Sequence, residues 1–528
     1  MSKQSDNYSE LSKEAFELVG EDRVMHDQKF DTKPVGYFRD AFSRFARNKG
    51  SVFAAIVIGI LIIYAIVGPY CCNRNYTSAY GNDKELVTYK RLRPRLSFME
   101  GTGFWDGTKV KKNISQVTYD QYRAMEQERG CTIITELVST YVKAHDPDDP
   151  FASDETYYTV RLDSYRALTT NLLTLTEEQY AEMQKWQDEN EVQLILPRVN
   201  YAENESPYSR SDVWYSVTKQ GGLEAKKDKD GNFIPNYVTK GTDMYTSKMR
   251  LESDPYNDGD TENAYRYAQR TGKPGSFNYV VRVDPYEYFV YKYGFEPSFV
   301  FGTNDQGYDI FSRLANGARF SLILAVCVSA INLIIGAIYG SIMGYYGGWI
   351  DILLDRIAEV LSGVPFMVVT VLFNLHLAHK VGIVPALFFA FVLTGWIGMA
   401  YRVRMQFYRF KNQEYVLAAR TLGASDLRIM FKHIFPNSLG TIITGSVLVI
   451  PGVIFSETSL TYLGIINLNA ANRASVGEML SSGQACMTTD PHVVLFPAIF
   501  IGLLMVCFNL FGNGLRDAFN PSLRGVEE

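Results

Sequence analysis

Hydrophobic residues gather into six long runs along this chain, and strongly polar stretches separate them. Each run has about 20 residues, the length that crosses a ~30 Å hydrocarbon core as an α-helix. The runs cover residues 51–70, 320–343, 357–375, 383–401, 439–461 and 493–511. The third is interrupted by Glu359 and Pro365, so its carboxylate needs a position facing the bundle or near the cytoplasm. The pattern predicts a mainly α-helical, polytopic membrane protein with six transmembrane helices.

Basic residues concentrate on one side of these predicted spans. They precede the first span and lie between the fourth and fifth: Lys33, Arg39, Arg44, Arg47, Lys49, Arg402, Arg404, Arg409, Lys411, Arg420, Arg428 and Lys432. Because Lys and Arg favour cytoplasmic flanks, we expect both stretches and, with six spans, both termini in the cytoplasm. The segment from Cys71 to about Val300 is then outside. About 50 polar residues before the first run argue against a cleaved signal peptide.

An interfacial helix is one interpretation of the stretch before the first span. "GYFRDAFSRFARNKG" places Phe38, Phe42 and Phe45 on one helical face with arginines around it. A solvated basic flank accounts for the same residues equally well.

The long segment between the first and second spans has the composition of a folded domain. It is polar and rich in Tyr and Asp, with helix and strand signals that predict an α+β fold. Thr176 resembles the cap of a helix running toward Asn190, and "VQLIL" follows as a strand. "TYDQYRAM" from Thr118 recurs as "TEEQYAEM" from Thr176, and "YTVRLDSY" from Tyr158 as "YVVRVDPY" from Tyr279. A duplicated subdomain predicts such echoes, and chance similarity in a Tyr-rich segment is the alternative.

Composition adds few candidates for chemistry. The chain of 528 residues has a formal charge of -5, six cysteines and six histidines, and no metal-binding spacing among the cysteines. Cys327 and Cys507 fall in spans and are expected to be packing residues. Four cysteines are expected outside, where disulfides and free thiols are both allowed: Cys71, Cys72, Cys131 and Cys486. The acidic stretches "DPDDP" and "DPYNDGDTEN" are better explained as solvated turns than as calcium loops, since Tyr256 and Tyr265 occupy ligand positions.

Two short amphipathic helices are predicted within residues 413–437, "QEYVLAARTLGASDLRIMFKHIFPN", hereafter segment 413–437. Their apolar positions recur at helical spacing: Tyr415, Ala418, Ala419 and Leu422, then Leu427, Met430, Phe431 and Ile434. Gly423 suits a left-handed turn, Ser425 a helix cap and Pro436 a helix stop. Ala418 and Ala419 leave room for a partner backbone, so the segment is a candidate docking surface. A DNA-binding helix-turn-helix has the same outline, but the flanking spans argue against access by DNA.

Segment 413–437 and three further motifs carry a family resemblance. "EYVLAARTLGAS" followed by "IFPN" closely resembles the EAA loop of permease subunits of binding-protein-dependent ABC importers. "FGTNDQGYDIFSRLANGARFSL", "GYYGGWIDILLDRIAEVLSGVP" and "FNLFGNGLRDAFNP" agree in the same order. The match covers roughly residues 35–70 and 300–524 and is most similar to the C-type permease of the oligopeptide, dipeptide and nickel group. Tyr308 stands where that family usually has Arg, and the outer segment is far larger than the usual loop.

The resemblance implies an organisation for the whole chain. It implies a type I ABC importer permease fold with a large extracytoplasmic α+β domain inserted between helices 1 and 2. The expected parts are a cytoplasmic segment 1–50, helix 1 at 51–70, the inserted domain 71–300, a permease core 301–512 with helices 2–6, and a cytoplasmic tail 513–528. The implied location is a bacterial cell (inner or plasma) membrane.

The resemblance also implies partners and a coupling site. The expected partners are a second, homologous permease subunit in a heterodimer, two ATP-binding subunits, a substrate-binding lipoprotein and membrane lipid, without nucleic acid. The EAA loop is expected to enter a groove on an ATP-binding subunit. The residues expected at that contact are Glu414, Ala418, Ala419, Arg420, Gly423 and Ala424. Because the chain has no "GxxxxGK[ST]" motif, ATP and Mg are expected in the partner subunits, with no cofactor or metal in this chain.

Import of oligopeptides or dipeptides is the function that the resemblance implies. Nickel or another small solute is the alternative within the class, with His376 and His379 of "HLAH" as a two-residue metal hint that solvation also explains. A membrane-anchored sensor or scaffold acting through its outer domain is the alternative from another class. Because "HExxH" and "GxSxG" are absent from the sequence, a membrane enzyme is disfavoured.

Overall fold

The computed structural model describes residues 37–71, 84–143, 154–196, 276–468 and 473–519, together with short strands within 199–273. Within these ranges, five helical stretches are long and apolar enough to cross a membrane, and a sixth is a bent helix pair. This agrees with the prediction of six spans when the bent pair is counted. Cys72 and both acidic stretches lie outside the described residues.

The elements follow one another in three blocks. The first block is α1 (Tyr37–Arg47) and the membrane helix α2 (Lys49–Cys71). The inserted block contains β1 (Thr108–Ser115), α3 (Gln116–Arg129), β2 (Ile134–Lys143), β3 (Glu155–Asp163), β4 (Asn171–Thr176), α4 (Glu177–Asn190), β5 (Ile195–Leu196), β6 (Val199–Asn200), β7 (Tyr215–Val217), β8 (Leu223–Lys227), β9 (Phe233–Ile234), β10 (Tyr265–Arg266), β11 (Ala268–Lys273), β12 (Ser276–Val283) and α5 (Pro285–Tyr293). The third block contains α6 (Ile310–Tyr346), α7 (Gly348–Ser362), α8 (Phe366–His376), α9 (Ala378–Val381), α10 (Ile383–Gly395), α11 (Ile397–Phe410), α12 (Glu414–Thr421), α13 (Asp426–Arg428), a π-helical turn (Ile429–Ile434), α14 (Phe435–Val447), α15 (Val449–Tyr462), α16 (Val476–Gly483) and α17 (His492–Phe519).

The third predicted span is a bent pair rather than one straight helix. Helices α7 and α8 meet at 71° across the break that ends at Pro365. Proline removes a backbone donor and clashes with the preceding turn, which explains the break. Glu359 is 61% exposed beside Arg356, so its carboxylate is solvated or at the membrane surface rather than within the bundle.

Helix α1 contacts the protein through only part of its predicted aromatic face. Phe45 is 8% exposed and packs edge-on against Phe511 of α17, at 5.4 Å between ring centroids. Phe42 is 73% exposed. Ala41 and Phe45 are therefore buried while Phe42 stays exposed, as either an interfacial helix or a solvated flank allows.

Glycines bring α6 and α11 into close contact in the membrane block. Gly336, Gly340 and Gly344 lie one turn apart on α6. A Cβ atom at Gly340 would lie 2.1 Å from the carbonyl oxygen of Ala400, and one at Gly344 would lie 2.8 Å from that of Arg404. Only glycine permits such backbone approach, the basis of small-residue packing between membrane helices.

The inserted block contains two sheets of the same antiparallel design. In the first, β3 lies between β1 and β2. In the second, β12 lies between β4 and β11, and β5 pairs with the end of β12. A helix follows the first strand in each case, namely α3 and α4. Strands β5 and β11 both pair with β12, and together they occupy the position that β2 has beside β3 in the first sheet. The chain between β5 and β11 is therefore an insertion into what is a single strand in the first repeat.

Matching contacts confirm the internal duplication. Tyr119 of α3 stacks on Tyr158 of β3 at 4.3 Å, and Tyr180 of α4 stacks on Tyr279 of β12 at 4.7 Å. The strand echo is therefore in register. The helix echo is out of register. The two sequence segments align Tyr122 with Tyr180, but in the structure Tyr119 makes the stacking contact that corresponds to that of Tyr180.

The ends of the two helices repeat a further contact. The carboxylate of Glu126 accepts hydrogen bonds from the backbone N–H groups that open β2, at 2.7 Å. The amide oxygen of Gln187 accepts the same pair of bonds at β5, at 2.9 and 2.8 Å. The predicted cap at Thr176 is also present, as a reciprocal capping box with Gln179.

Asp490, in the loop before α17, fixes the inserted block to the membrane helices. It accepts a 2.6 Å hydrogen bond from Lys109 of β1, and Arg93 lies 3.6 Å away. Burial would raise the pKa of Asp490, but the hydrogen bond and charge of Lys109 outweigh it and the pKa falls below its ordinary value. Arg93 also donates to the carbonyl oxygen of Thr489 at 2.8 Å. The first repeat is thus tied to α17.

The cysteines in the described residues are free. Cys507 is buried, as expected of a packing residue. Cys327 is exposed on α6, so the prediction that it packs inside the bundle is wrong for this chain taken alone. Cys71, Cys131 and Cys486 form no disulfide here.

We predict that Gly340→Ala destabilises the protein by about 1–3 kcal/mol, because the new methyl group forces α6 away from α11. Thermal unfolding of the purified chain in detergent measures the effect. Gly59→Ala is the matched control, since nothing lies within 4 Å of a Cβ atom there. Equal unfolding temperatures for both variants would contradict the packing account.

Candidate coupling surface

The first short helix of segment 413–437 ends as its sequence predicts. Helix α12 stops at Leu422, and Gly423 follows with a φ of +81°. The N–H of Gly423 donates to Arg420, and the N–H of Ala424 donates to Ala419. This pair of bonds is the Schellman arrangement, which needs a left-handed residue after the cap. The left-handed turn predicted at Gly423 is confirmed.

The second short helix differs from the prediction at both ends. Ser425 has the extended backbone of a cap, but its side chain makes no capping hydrogen bond. Pro436 does not stop the helix, because α13, the π-helical turn and α14 run on into the next membrane span. Pro436 lies in the first turn of α14, where a missing N–H is tolerated, and the change from π to α geometry precedes it.

One side of segment 413–437 is buried against the ends of the membrane helices. Val416 and Ile429 are fully buried. They share a core with Val403 and Phe407 of α11 and with Tyr345 of α6. Segment 413–437 therefore rests on the same helix pair that the glycines hold together.

Polar contacts fix the orientation of the segment. The hydroxyl of Tyr345 donates to Asp426 at 2.6 Å. Arg420 reaches that hydroxyl from α12 at 3.5 Å, with its guanidinium 5.8 Å from the ring centroid. Lys411 donates to the carbonyl oxygen of Gly344 at 3.1 Å. Both short helices are thus bonded to the end of α6.

The opposite side of the segment exposes large apolar side chains. Leu422 is 87% exposed and Leu427 is 65% exposed. Three more apolar residues join them with smaller exposed fractions: Tyr415, Leu417 and Phe431. We call these five residues the coupling surface. An exposed apolar patch rimmed by charged residues is typical of a protein-docking site.

The six predicted contact residues surround this coupling surface. Glu414, Ala418, Arg420 and Gly423 are exposed, whereas Ala419 and Ala424 are half-buried. Ala424 packs against the core beneath the segment. All six lie on α12 or in the turn that follows it, and their contact with a partner stays a prediction.

Sequence reasoning missed part of the exposed apolar side. It placed Leu427 with Met430 and Ile434 on one face, but only the latter two are buried, at 2% and 0% exposed. It did not single out Leu417. The sequence did contain a signal that Leu417, Leu422 and Leu427 face away from the core. These leucines are flanked in sequence by charged residues, namely Glu414, Arg420 and Arg428.

Other candidate sites receive no support in the described residues. No group of three or more His, Cys, Asp or Glu side chains there can hold a metal ion. His376 ends α8 and His379 lies in α9, with no third ligand among the described side chains.

Comparisons with known proteins agree with this geometry. The family model "binding-protein-dependent transport system inner membrane component" matches residues 336–525, which include segment 413–437. A second model, "N-terminal TM domain of oligopeptide transport permease C", matches residues 36–92.

Individual relatives match over the same part of the chain. The oligopeptide transport system permease protein of Bacillus subtilis is 44% identical over 224 residues, which are 42% of this chain and 72% of that protein. The dipeptide transport system permease protein of the same organism is 42% identical over 42% of this chain and 69% of its own length. The oligopeptide permease protein of Escherichia coli is 35% identical over 43% of this chain and 74% of its own length.

We predict that Tyr345→Phe loosens segment 413–437, because it removes the hydrogen bond to Asp426. A typical hydrogen bond contributes about 1 kcal/mol, so amide hydrogen exchange in α12 and α13 should rise about fivefold. Tyr346→Phe is the matched control, since Tyr346 is 47% exposed on the same helix turn. Unchanged exchange in Tyr345→Phe would show that this hydrogen bond does not hold the segment.

Proposed function

The chain belongs to the family of binding-protein-dependent transport system inner membrane components, and on this premise we propose that it is a permease subunit of an ABC importer of oligopeptides or dipeptides. The names of its relatives support the peptide class. As a multi-pass transport subunit it moves a substrate and is not itself an enzyme.

The observation that carries this proposal is the coupling surface. Leu422 and Leu427 are exposed on a helical turn, and the opposite side of that turn is buried on α11. In the proposed complex, each exposed apolar turn enters a groove on an ATP-binding subunit, as an amphipathic helix enters a hydrophobic groove. ATP and Mg bind in those partner subunits.

Transmission follows from the way segment 413–437 is held. When the two ATP-binding subunits close, they move the coupling surfaces toward each other. Because Tyr345 of α6 bonds to Asp426 in the segment, Lys411 just before the segment bonds to Gly344, and Gly340 holds α6 to α11, the motion passes to the membrane helices as a rigid-body rotation. The permease pair then alternates between inward-facing and outward-facing states.

The inserted block is proposed to lie outside the cell. Basic residues flank segment 413–437 and the start of α2, which favours a cytoplasmic position for both. The membrane helix α2, whose one charged residue is Lys49 at its start, then leads to the opposite side. There the inserted domain is positioned to receive a substrate-binding lipoprotein and to contact the second permease subunit of a heterodimer. Both termini are proposed to be cytoplasmic, in a bacterial inner or plasma membrane.

The alternatives have weaker support. Nickel import rests on His376 and His379, which lack a third ligand among the described residues. A sensor or scaffold does not need the exposed leucines of the coupling surface. Co-purification separates these functions, because an importer brings a second permease and ATP-binding subunits whereas a sensor brings neither.

We predict that Leu422→Asp weakens binding of the ATP-binding subunits about tenfold, because it places a charge in an apolar contact worth about 1.5–3 kcal/mol. Co-purification from detergent extracts measures the loss. Leu172→Asp is the matched control, since Leu172 is 49% exposed on β4, far from the coupling surface in sequence. Full retention of the ATP-binding subunits by Leu422→Asp would contradict the docking assignment.

Gly423→Pro is expected to act on the same contact by a different route. Proline cannot adopt the φ of +81° and cannot donate the hydrogen bond to Arg420. The protein should reach the membrane but fail to stimulate ATP hydrolysis in response to peptide. Normal peptide-stimulated hydrolysis in reconstituted vesicles would count against the assignment.

Cysteine labelling tests the orientation of the two sides. In a background without native cysteines, Ser139→Cys in β2 should react with an impermeant thiol reagent on intact cells, because β2 is proposed to be outside. Ser425→Cys should react only after the cells are broken. Both residues are exposed, so access differs only by the membrane. Equal labelling on intact cells would overturn the proposed orientation.

A further inference from the structure

A neutral cavity lies within the membrane block, away from the coupling surface. Its volume is about 340 Å³, and it is lined by residues of α6, α8, α10 and α15. Its polar groups are Asn332, Thr394 and Ser456, and the remaining lining residues are apolar. No charged side chain lines it. This volume is near the small end of ligand pockets, so it suits a short segment of a ligand.

The cavity lies between four membrane helices. Helices α10 and α11 form one apolar stretch, and Trp396 between them keeps a right-handed helical backbone next to the lining residue Gly395. Helices α14 and α15 form another, and Leu448 between them does the same next to the lining residue Val449. Ligand sites commonly lie between the helices of a bundle.

Asn332 supplies an unused hydrogen-bonding group at this position. Its side chain is 2% exposed, and its Oδ1 atom has no hydrogen-bond partner among the described residues. Its Nδ2 atom would lie 2.3 Å from a Cβ atom at Gly395, so α10 fits against the carboxamide only because this residue is glycine. A buried acceptor without a partner is destabilising.

The two hydroxyl groups add to this set. Ser456 lies on α15 and Thr394 on α10, and neither side-chain hydroxyl hydrogen-bonds to another described residue. An uncharged acceptor with two hydroxyls, between apolar walls, complements the N–H and C=O groups of a peptide backbone. It carries no charge that would select one type of side chain.

We propose that this cavity is a transient binding site for the backbone of an extended peptide in transit, with the carboxamide of Asn332 and the hydroxyls of Thr394 and Ser456 as its polar groups. The proposal rests on peptide import as the function of the complex. It names the part of the translocation path that this chain supplies, between α6, α8, α10 and α15.

Crosslinking with a matched pair of cysteines tests the assignment. Ser456→Cys lines the cavity, whereas Ser459→Cys is on the same helix, half-buried like Ser456 and outside the lining. Both are placed in the assembled complex after the exposed native cysteines are replaced. The probe is a tetra-alanine peptide with one internal cysteine activated as a pyridyl disulfide. During ATP-driven turnover, we expect at least tenfold more peptide on Ser456→Cys than on Ser459→Cys.

The outcomes separate this inference from the function on which it rests. Equal labelling, or no labelling in a complex that still imports tetra-alanine, overturns the cavity assignment alone. No import by the wild-type complex overturns both. If the cysteine variants do not assemble, a tetra-alanine peptide with a photoreactive residue is bound to the wild-type complex and crosslinked sites are mapped. Crosslinks within 449–456 support the assignment, and crosslinks confined to other segments overturn it.

Discussion

The contact between the backbones of α6 and α11 is the constraint on which the rest of the membrane block depends. Gly336, Gly340 and Gly344 present no side chain, so α11 packs directly on α6. One end of this pair carries segment 413–437, through Tyr345 and the core around Phe407. A side chain between the two helices would therefore displace the coupling surface as well.

The same pair reaches the proposed peptide site from the other direction. Asn332 lies one turn before Gly336 on α6, and Gly395 is the last residue of α10 before α11. The cavity and the coupling surface are thus at two levels of one packed unit. Motion imposed at Leu422 has a continuous path of helix contacts to Asn332, which is what coupling of ATP hydrolysis to peptide movement requires. Elsewhere, Asp490 and Lys109 connect the first repeat of the inserted block to α17.

The sequence predicts the regular features well and fails where tertiary contacts decide. The apolar runs predicted the membrane helices because length and hydropathy are local properties of the sequence. Gly423 predicted the left-handed turn because few other residues adopt that backbone conformation. Pro436 failed as a helix stop, because its effect depends on whether it lies in a first turn. Leu427 and Ile434 share a helical spacing but only Ile434 is buried, because helical spacing marks a face without saying what covers it. The duplicated fold was visible in the strand echo, but the helix register at Tyr119 required the stacked partner ring.

A distance measurement across the packed unit tests the central claim most directly. Spin labels at Thr421, on α12, and at Ile334, on the exposed side of α6, report whether the coupling surface and the membrane helices move together. In the assembled complex, the distance between the two labels should be the same without nucleotide and with ATP bound, because both labels lie on one rigid unit. The distance from Thr421 to the second permease subunit should change between these states. A change of about 5 Å, one helical turn, between Thr421 and Ile334 would contradict the account, because segment 413–437 would then move independently of α6.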